Sequence, residues 1–180
     1  VAPAWAADVV SSNVVGYQKL TLKPGYNMIP NNFVTVGDEE MYGINDMFGG
    51  IENATANRSA ENADRIDVWD AAAQGYVSYY RMTNRQGTST WWGRYDSTSA
   101  ATEDSFPDFG DGAFYYNQAD SDLELTLSGQ VKSTGTILTF APGYSILANP
   151  YPADIPINGD TIDWSKATAN RSAENADRID

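Results

Sequence analysis

Short strand-forming runs closed by turns fill most of this chain, and no stretch carries the apolar period of a long helix. Val14-Val15-Gly16-Tyr17-Gln18-Lys19-Leu20-Thr21-Leu22 alternates imperfectly and is rich in strand formers. Lys23-Pro24-Gly25-Tyr26 then turns, because proline fixes one φ and glycine tolerates the next position. Residues 27–30 resume a short strand. Residues 38–48 have room for a helical turn closed by Gly49-Gly50. Residues 65–70 alternate, with Ile66 and Val68 on one face and Arg65, Asp67 and Trp69 on the other. Residues 76–82 return, which predicts a hairpin with a loop of about five residues. Residues 90–95, 112–116 and 123–131 read as further strands, and the polar stretch 96–108 as a surface loop. The total is roughly eight to ten short strands, the profile of an all-β, antiparallel β-sandwich or barrel-like fold.

The chain also repeats itself. ATANRSAENADRID occupies residues 54–67 and returns unchanged at 167–180. Its alanines, Arg58 and Glu61 permit a helical turn at 57–62, while its asparagines and serine favour a loop equally. The repeat is wider than this segment. Leu20-Thr21-Leu22-Lys23-Pro24-Gly25-Tyr26 is echoed by Leu138-Thr139-Phe140-Ala141-Pro142-Gly143-Tyr144. The unit is about 115 residues, too long for a solenoid repeat. The expected organisation is an N-terminal tail or donor segment at 1–11, a first β-unit at 12–127, and a partial second β-unit at 128–180. That second unit would pack on the first or be completed by a neighbouring subunit.

Charge and composition remove several function classes. The 180 residues hold 24 acids and 11 bases, a formal charge of -13. Nucleic acid and anionic membrane surfaces call for the opposite field. No apolar run reaches membrane-spanning length. Cysteine and histidine are absent, which excludes disulfides, thiolate chemistry, imidazole triads and most zinc or copper sites. Carboxylate-only catalysis stays open. Ala4-Trp5-Ala6 has the small-x-small form of a signal-peptidase site, so the first residues read as the tail of a secretion signal.

Several landmarks together resemble secreted β-rich tandem-repeat proteins of environmental bacteria, a group of uncharacterised sequences. They are Asn13-Val14-Val15-Gly16-Tyr17-Gln18, Pro24-Gly25-Tyr26-Asn27-Met28-Ile29, Ala63-Asp64-Arg65-Ile66-Asp67-Val68-Trp69-Asp70, Ala73-Gln74-Gly75-Tyr76 and Leu125-Thr126-Leu127-Ser128-Gly129-Gln130-Val131. Where such units often carry a Pro-Gly-x-Gly-Phe turn, this chain has Pro107-Asp108-Phe109-Gly110-Asp111-Gly112-Ala113-Phe114. The resemblance implies export and an extracellular or cell-surface life. It brings no catalytic residues.

Candidate sites are of three kinds. Asp38-Glu39-Glu40, Asp108 with Asp111, Asp120 with Asp122, and Asp160 with Asp163 could offer oxygen ligands to calcium, although each also reads as a solvated turn. No other cofactor is expected. Tyr79-Tyr80, Trp91-Trp92 and Tyr115-Tyr116 would each point one ring inward and one outward. The outward rings could stack on sugars or bury against another subunit. Asn53-Ala54-Thr55, Asn57-Arg58-Ser59 and Asn170-Arg171-Ser172 match the N-glycosylation pattern, which has little force in a bacterial chain.

The expectation is a non-enzymatic structural subunit of an extracellular or cell-surface filament, sheath or layer, with copies of itself as partners. A half-unit with apolar strands at 137–140 and 146–147 would leave an open edge that invites pairing. The alternative is a carbohydrate-binding or adhesive module with glycan partners. Behind it stands a carboxylate-based glycoside hydrolase.

Overall fold

The computed structural model describes residues 14–34, 43–48, 51–96, 110–132 and 134–179. The expected tail at 1–11, the acids Asp38, Glu39 and Glu40, the Gly49-Gly50 stop and Asp108 lie outside the described residues.

Among the described residues seven strands run β1 (Val15–Leu22), β2 (Gly25–Pro30), β3 (Arg65–Asp70), β4 (Gly75–Thr83), β5 (Thr90–Arg94), β6 (Gly112–Asn117) and β7 (Leu123–Gln130), with a short helix α1 (Ile44–Phe48). All pairings are antiparallel. They form a two-stranded sheet, β1-β7, and a five-stranded sheet ordered β2-β6-β3-β4-β5. The chain is all-β, and its two sheets pack together in a sandwich-like arrangement around one apolar cluster. Strand β7 runs to Gln130, across the 127/128 boundary read from the sequence.

Both sheets share one bent ribbon. Strands β1 and β2 are nearly continuous, and they pair in turn with β7 and β6. The bend on one arm is Pro24-Gly25, where Gly25 takes φ +89°. Asn27 braces it: its Oδ1 accepts from the Lys23 N–H at 2.8 Å, and its Nδ2 donates to the Lys23 and Gly25 carbonyls at 2.8 and 2.9 Å. The other arm bends after Asn117. That buried amide donates to Leu22 O at 3.0 Å and Ser121 O at 2.9 Å, so one side chain holds both bends together.

Period-2 patterning sets the core. Leu123, Leu125 and Leu127 are buried, while the residues between them are exposed. They meet Ile29, Ile66, Ala113 and Tyr115 of the facing sheet. Phe48, Trp92 and Tyr115 close one end, with ring centroids 5.9–6.1 Å apart. The Trp92 N–H donates to Asn45 Oδ1 at 3.0 Å, tying α1 to β5.

The first copy of the repeated segment is a loop with a 3-10 turn at Ala60–Asn62. Asp64, fully buried, fastens it. Its Oδ2 accepts from the Thr55 N–H (3.1 Å) and the Tyr115 hydroxyl (2.7 Å), and its Oδ1 from the Gln118 N–H (2.8 Å). The second copy reproduces the loop. Thr168 N–H donates to Asp177 Oδ2 at 2.8 Å, and the 3-10 turn recurs at Ala173–Asn175. Ser59 and Ser172 have nearly the same backbone, at φ -102°, ψ 126° and φ -99°, ψ 126°. This loop is therefore encoded locally. The copies differ in setting: Asp64 is buried, whereas Asp177 is exposed.

The strands expected at 137–140 and 146–147 do not form. This stretch joins no ladder and lies on the first unit as an irregular arm.

Burial pushes the Asp64 carboxyl above the usual carboxylate range, against the pull of the Gln118, Tyr115 and Thr55 donors and the Arg81 guanidinium. The folded state thus holds this proton more tightly than the unfolded chain. Its contribution to stability is full below the ordinary value of 3.8 and is lost as pH rises through the raised one. Asp64→Asn leaves a buried donor poorly paired and should cost about 1–3 kcal/mol in urea unfolding. The gap from wild type should be widest in acid and narrow toward neutrality. A gap that widens with rising pH would contradict this account of Asp64.

Candidate functional site

The outward face of the five-stranded sheet carries the densest surface chemistry. The alternation that sends Ile66 inward sends Arg65, Asp67 and Trp69 outward. Register then sets Arg65 between Tyr116 and Tyr80, and Asp67 between Phe114 and Ser78. Tyr26 lies beside Tyr116, and Trp69 opposite Tyr76.

Arg65 is the hub. Its Nε donates to both Asp67 oxygens at 3.0 and 3.1 Å, and its terminal nitrogen donates to the Tyr26 hydroxyl. The guanidinium carbon stands 5.5 Å from the Tyr26 ring centre and 5.3 Å from that of Tyr116, within cation–π range. Asp67 also accepts from the Ser78 hydroxyl at 2.6 Å. Around this network the rings make edge contacts: Tyr26 with Tyr116 at 4.9 Å, Tyr76 with Phe114 at 6.2 Å, and Trp69 with Tyr76 at 4.9 Å. An open pocket of about 240 Å³ sits here, lined by Arg65, Asp67, Tyr76, Ser78 and Tyr95.

The expected aromatic pairs are distributed otherwise than as surface. Tyr79, Trp92 and Tyr115 face the core and are buried. Trp91 and Tyr116 are half-buried. Tyr80 shares the outward side with Ser78 yet is also buried, because the loop carrying Ala60 and Ala63 covers it. Among the described residues of the first unit the exposed rings are instead Tyr17 (78%), Tyr26 (60%), Tyr76 (53%) and Tyr95 (50%), and Tyr144, Phe140 and Trp164 are exposed in the later part of the chain. Adjacent pairs mark strands that alternate, and Tyr76, a single ring two places before Ser78 on the same face, is exposed.

Among the described residues the candidate acids lie apart from one another. Asp122 pairs with Lys23 at 3.1 Å. Asp163 accepts from the Ser165 N–H at 2.9 Å, which holds its carboxyl below the usual range, and Asp120 and Asp160 are exposed. The Asp111 carbonyl accepts from Asn31 N–H at 2.9 Å. Among the described residues no group of three or more Asp or Glu is placed to hold a metal. Asp67 is the one carboxylate lining this pocket, while Glu52, Asp122 and Glu124 line a second groove beside β7. Among the described residues no helix is long and apolar enough to cross a membrane.

No protein-family model, curated protein or solved structure matches the chain. Its chemistry therefore rests on these residues alone.

Arg65→Ala would strand the poorly exposed Asp67 carboxylate and unpin Tyr26. The expected loss is about 1–3 kcal/mol in urea unfolding, with a changed near-UV circular dichroism signal from the rings. Arg65→Lys keeps the charge but not the planar fork, and should restore only part of the loss.

Proposed function

We propose that this protein is a structural subunit of an extracellular or cell-surface assembly, built from copies of itself through strand edges and aromatic contacts. The observation that carries the reading is the two-stranded sheet. A two-stranded sheet is barely stable alone, and its unpaired backbone groups are a template for another strand. Among the described residues, β1-β7 gains only an isolated bridge between Val34 and Gln130. On the outward side of β1, Val15 and Tyr17 are 60% and 78% exposed. A groove of about 650 Å³ runs beside β7, and its lining includes the half-buried Met47 and the acids Glu52, Asp122 and Glu124. A strand from another copy would gain backbone pairing and cover the exposed Val15 and Tyr17.

A second reading is supported by the pocket between Tyr76 and Tyr95. Two half-exposed rings beside Asp67 and Ser78 could face a sugar ring, with the carboxylate and hydroxyl meeting its hydroxyls. On that reading the protein is a carbohydrate-binding or adhesive module.

Light scattering on the purified full chain separates the two. Assembly should grow with concentration, and Val15→Lys with Tyr17→Lys should reduce it at least severalfold, since charge blunts a strand edge. A monodisperse monomer at all concentrations would remove the structural reading. Saturable glycan binding lost in Tyr76→Ala and Tyr95→Ala would put the second in its place.

A further inference from the structure

The arm formed by residues 138–148 is held on the first unit by a joint made to fit. The Tyr144 carbonyl accepts from Trp69 Nε1 at 2.8 Å and from Gln74 Nε2 at 3.1 Å, and its N–H donates to Gln74 Oε1 at 2.8 Å. One glutamine amide thus bonds both the N–H and the carbonyl of Tyr144. Three glycines make room for the contact. A Cβ on Gly143, itself at φ +111°, would stand 2.5 Å from Gln74 Oε1. One on Gly110 would meet Leu138 at 2.5 Å, and one on Gly112 would meet Ile146 at 3.1 Å. The Ala148 N–H donates to Gly110 O at 2.8 Å. Trp69 and Gln74 belong to the hairpin of the first unit, so the joint is a specific interface between two parts of one chain.

The link to this arm is of a different kind. Thr134, Gly135 and Ile137 are exposed, Ile137 at 94%. Nothing lies within 4 Å of a Cβ built on Gly135. The Tyr151 hydroxyl, bonded to Thr134 O at 2.9 Å and Thr136 Oγ1 at 3.2 Å, is what steadies the link. A well-fitted joint at the end of an exposed link is the arrangement in which an identical element passes between copies at low cost.

We propose that the 138–148 arm is exchanged: in the assembly, the arm of one copy seats on the Trp69–Gln74 hairpin and Gly110–Gly112 floor of the next. This inference rests on the self-associating reading above. Every contact of the joint is conserved in the exchange. Each copy gives its arm to one neighbour and receives one from another, so the contact is head-to-tail and continues without closing unless the rotation forms a ring. The link is the hinge, and Tyr151 is the latch that favours the closed form.

The test uses the absence of cysteine from the chain. A Cβ on Gly112 would lie 3.7 Å from Ala148 Cβ, within the usual span of a disulfide. A full-length chain carrying Gly112→Cys and Ala148→Cys is oxidised at assembling concentration and run without reductant. The exchange predicts a shift from the monomer band to a ladder. Chains with Gly112→Cys alone, mixed with chains carrying Ala148→Cys alone, should give mixed dimers that neither gives by itself. Assembly accompanied only by disulfides within one chain would overturn the exchange and leave self-association standing. A monomer under all conditions would overturn both. Deleting residues 134–136 supplies a check free of the added Gly112 side chain, because it shortens the reach of the link by about 10 Å. The deletion should shift the population toward assemblies, and a deletion chain that stays monomeric would overturn the exchange.

Discussion

The buried carboxylate of Asp64 is the contact on which most else depends. Its two oxygens draw together the start of the repeated loop at Thr55, the core ring of Tyr115 and the turn beginning at Gln118. Its own backbone carbonyl accepts from Arg81 N–H at 2.9 Å, which adds β4 to the set. A carboxylate removed from water is costly, and the three donors here offset that cost only in part. The loop so fixed is the one that covers Tyr80, and it delivers the chain into β3 with Arg65 on the outer face and Ile66 in the core. A slip of one residue at this entry would exchange those faces.

A second economy lies in the bent ribbon. One pair of chain segments builds an edge of each sheet, so the corner between the sheets is made of two short bends. Asn117 holds both, bonding to Leu22 on one arm and Ser121 on the other. The same device explains how a sheet of only two strands keeps its place: Leu20 and Leu22 on one strand and Leu123, Leu125 and Leu127 on the other press onto the broader sheet.

Local pattern was legible in the sequence where local pattern decides. The β3–β4 hairpin, its face assignment and the Pro24-Gly25 turn all follow from alternation and from backbone freedom at glycine, and the structure has them. The identity of the two fourteen-residue segments does translate into identical loops. What the sequence withheld was tertiary. Nothing in Tyr79-Tyr80 says that a loop of alanines will cover the outward ring, and nothing in Ile146-Leu147 says that this stretch will lie on the first unit without joining a ladder. The Arg65–Asp67–Ser78 network joins residues on two strands, so only register reveals it. Asp64 looked like one acid among 24. A polar residue just before an alternating strand was the available sign.

The arrangement of β1 and β7 has a mechanical meaning. Val15 stands opposite Gln130, and the Val131 N–H donates to Val14 O at 2.7 Å, so the chain enters and leaves this sheet at the same end. Tension applied through the backbone would load the ladder one rung at a time, peeling it like a zip. Antiparallel strands pulled from neighbouring ends resist far less than strands pulled along opposite directions, where all rungs bear load together. Pulled this way the ladder is a weak element, and resistance to stretch must come from contacts outside it, the joint between Tyr144 and the Trp69–Gln74 hairpin among them.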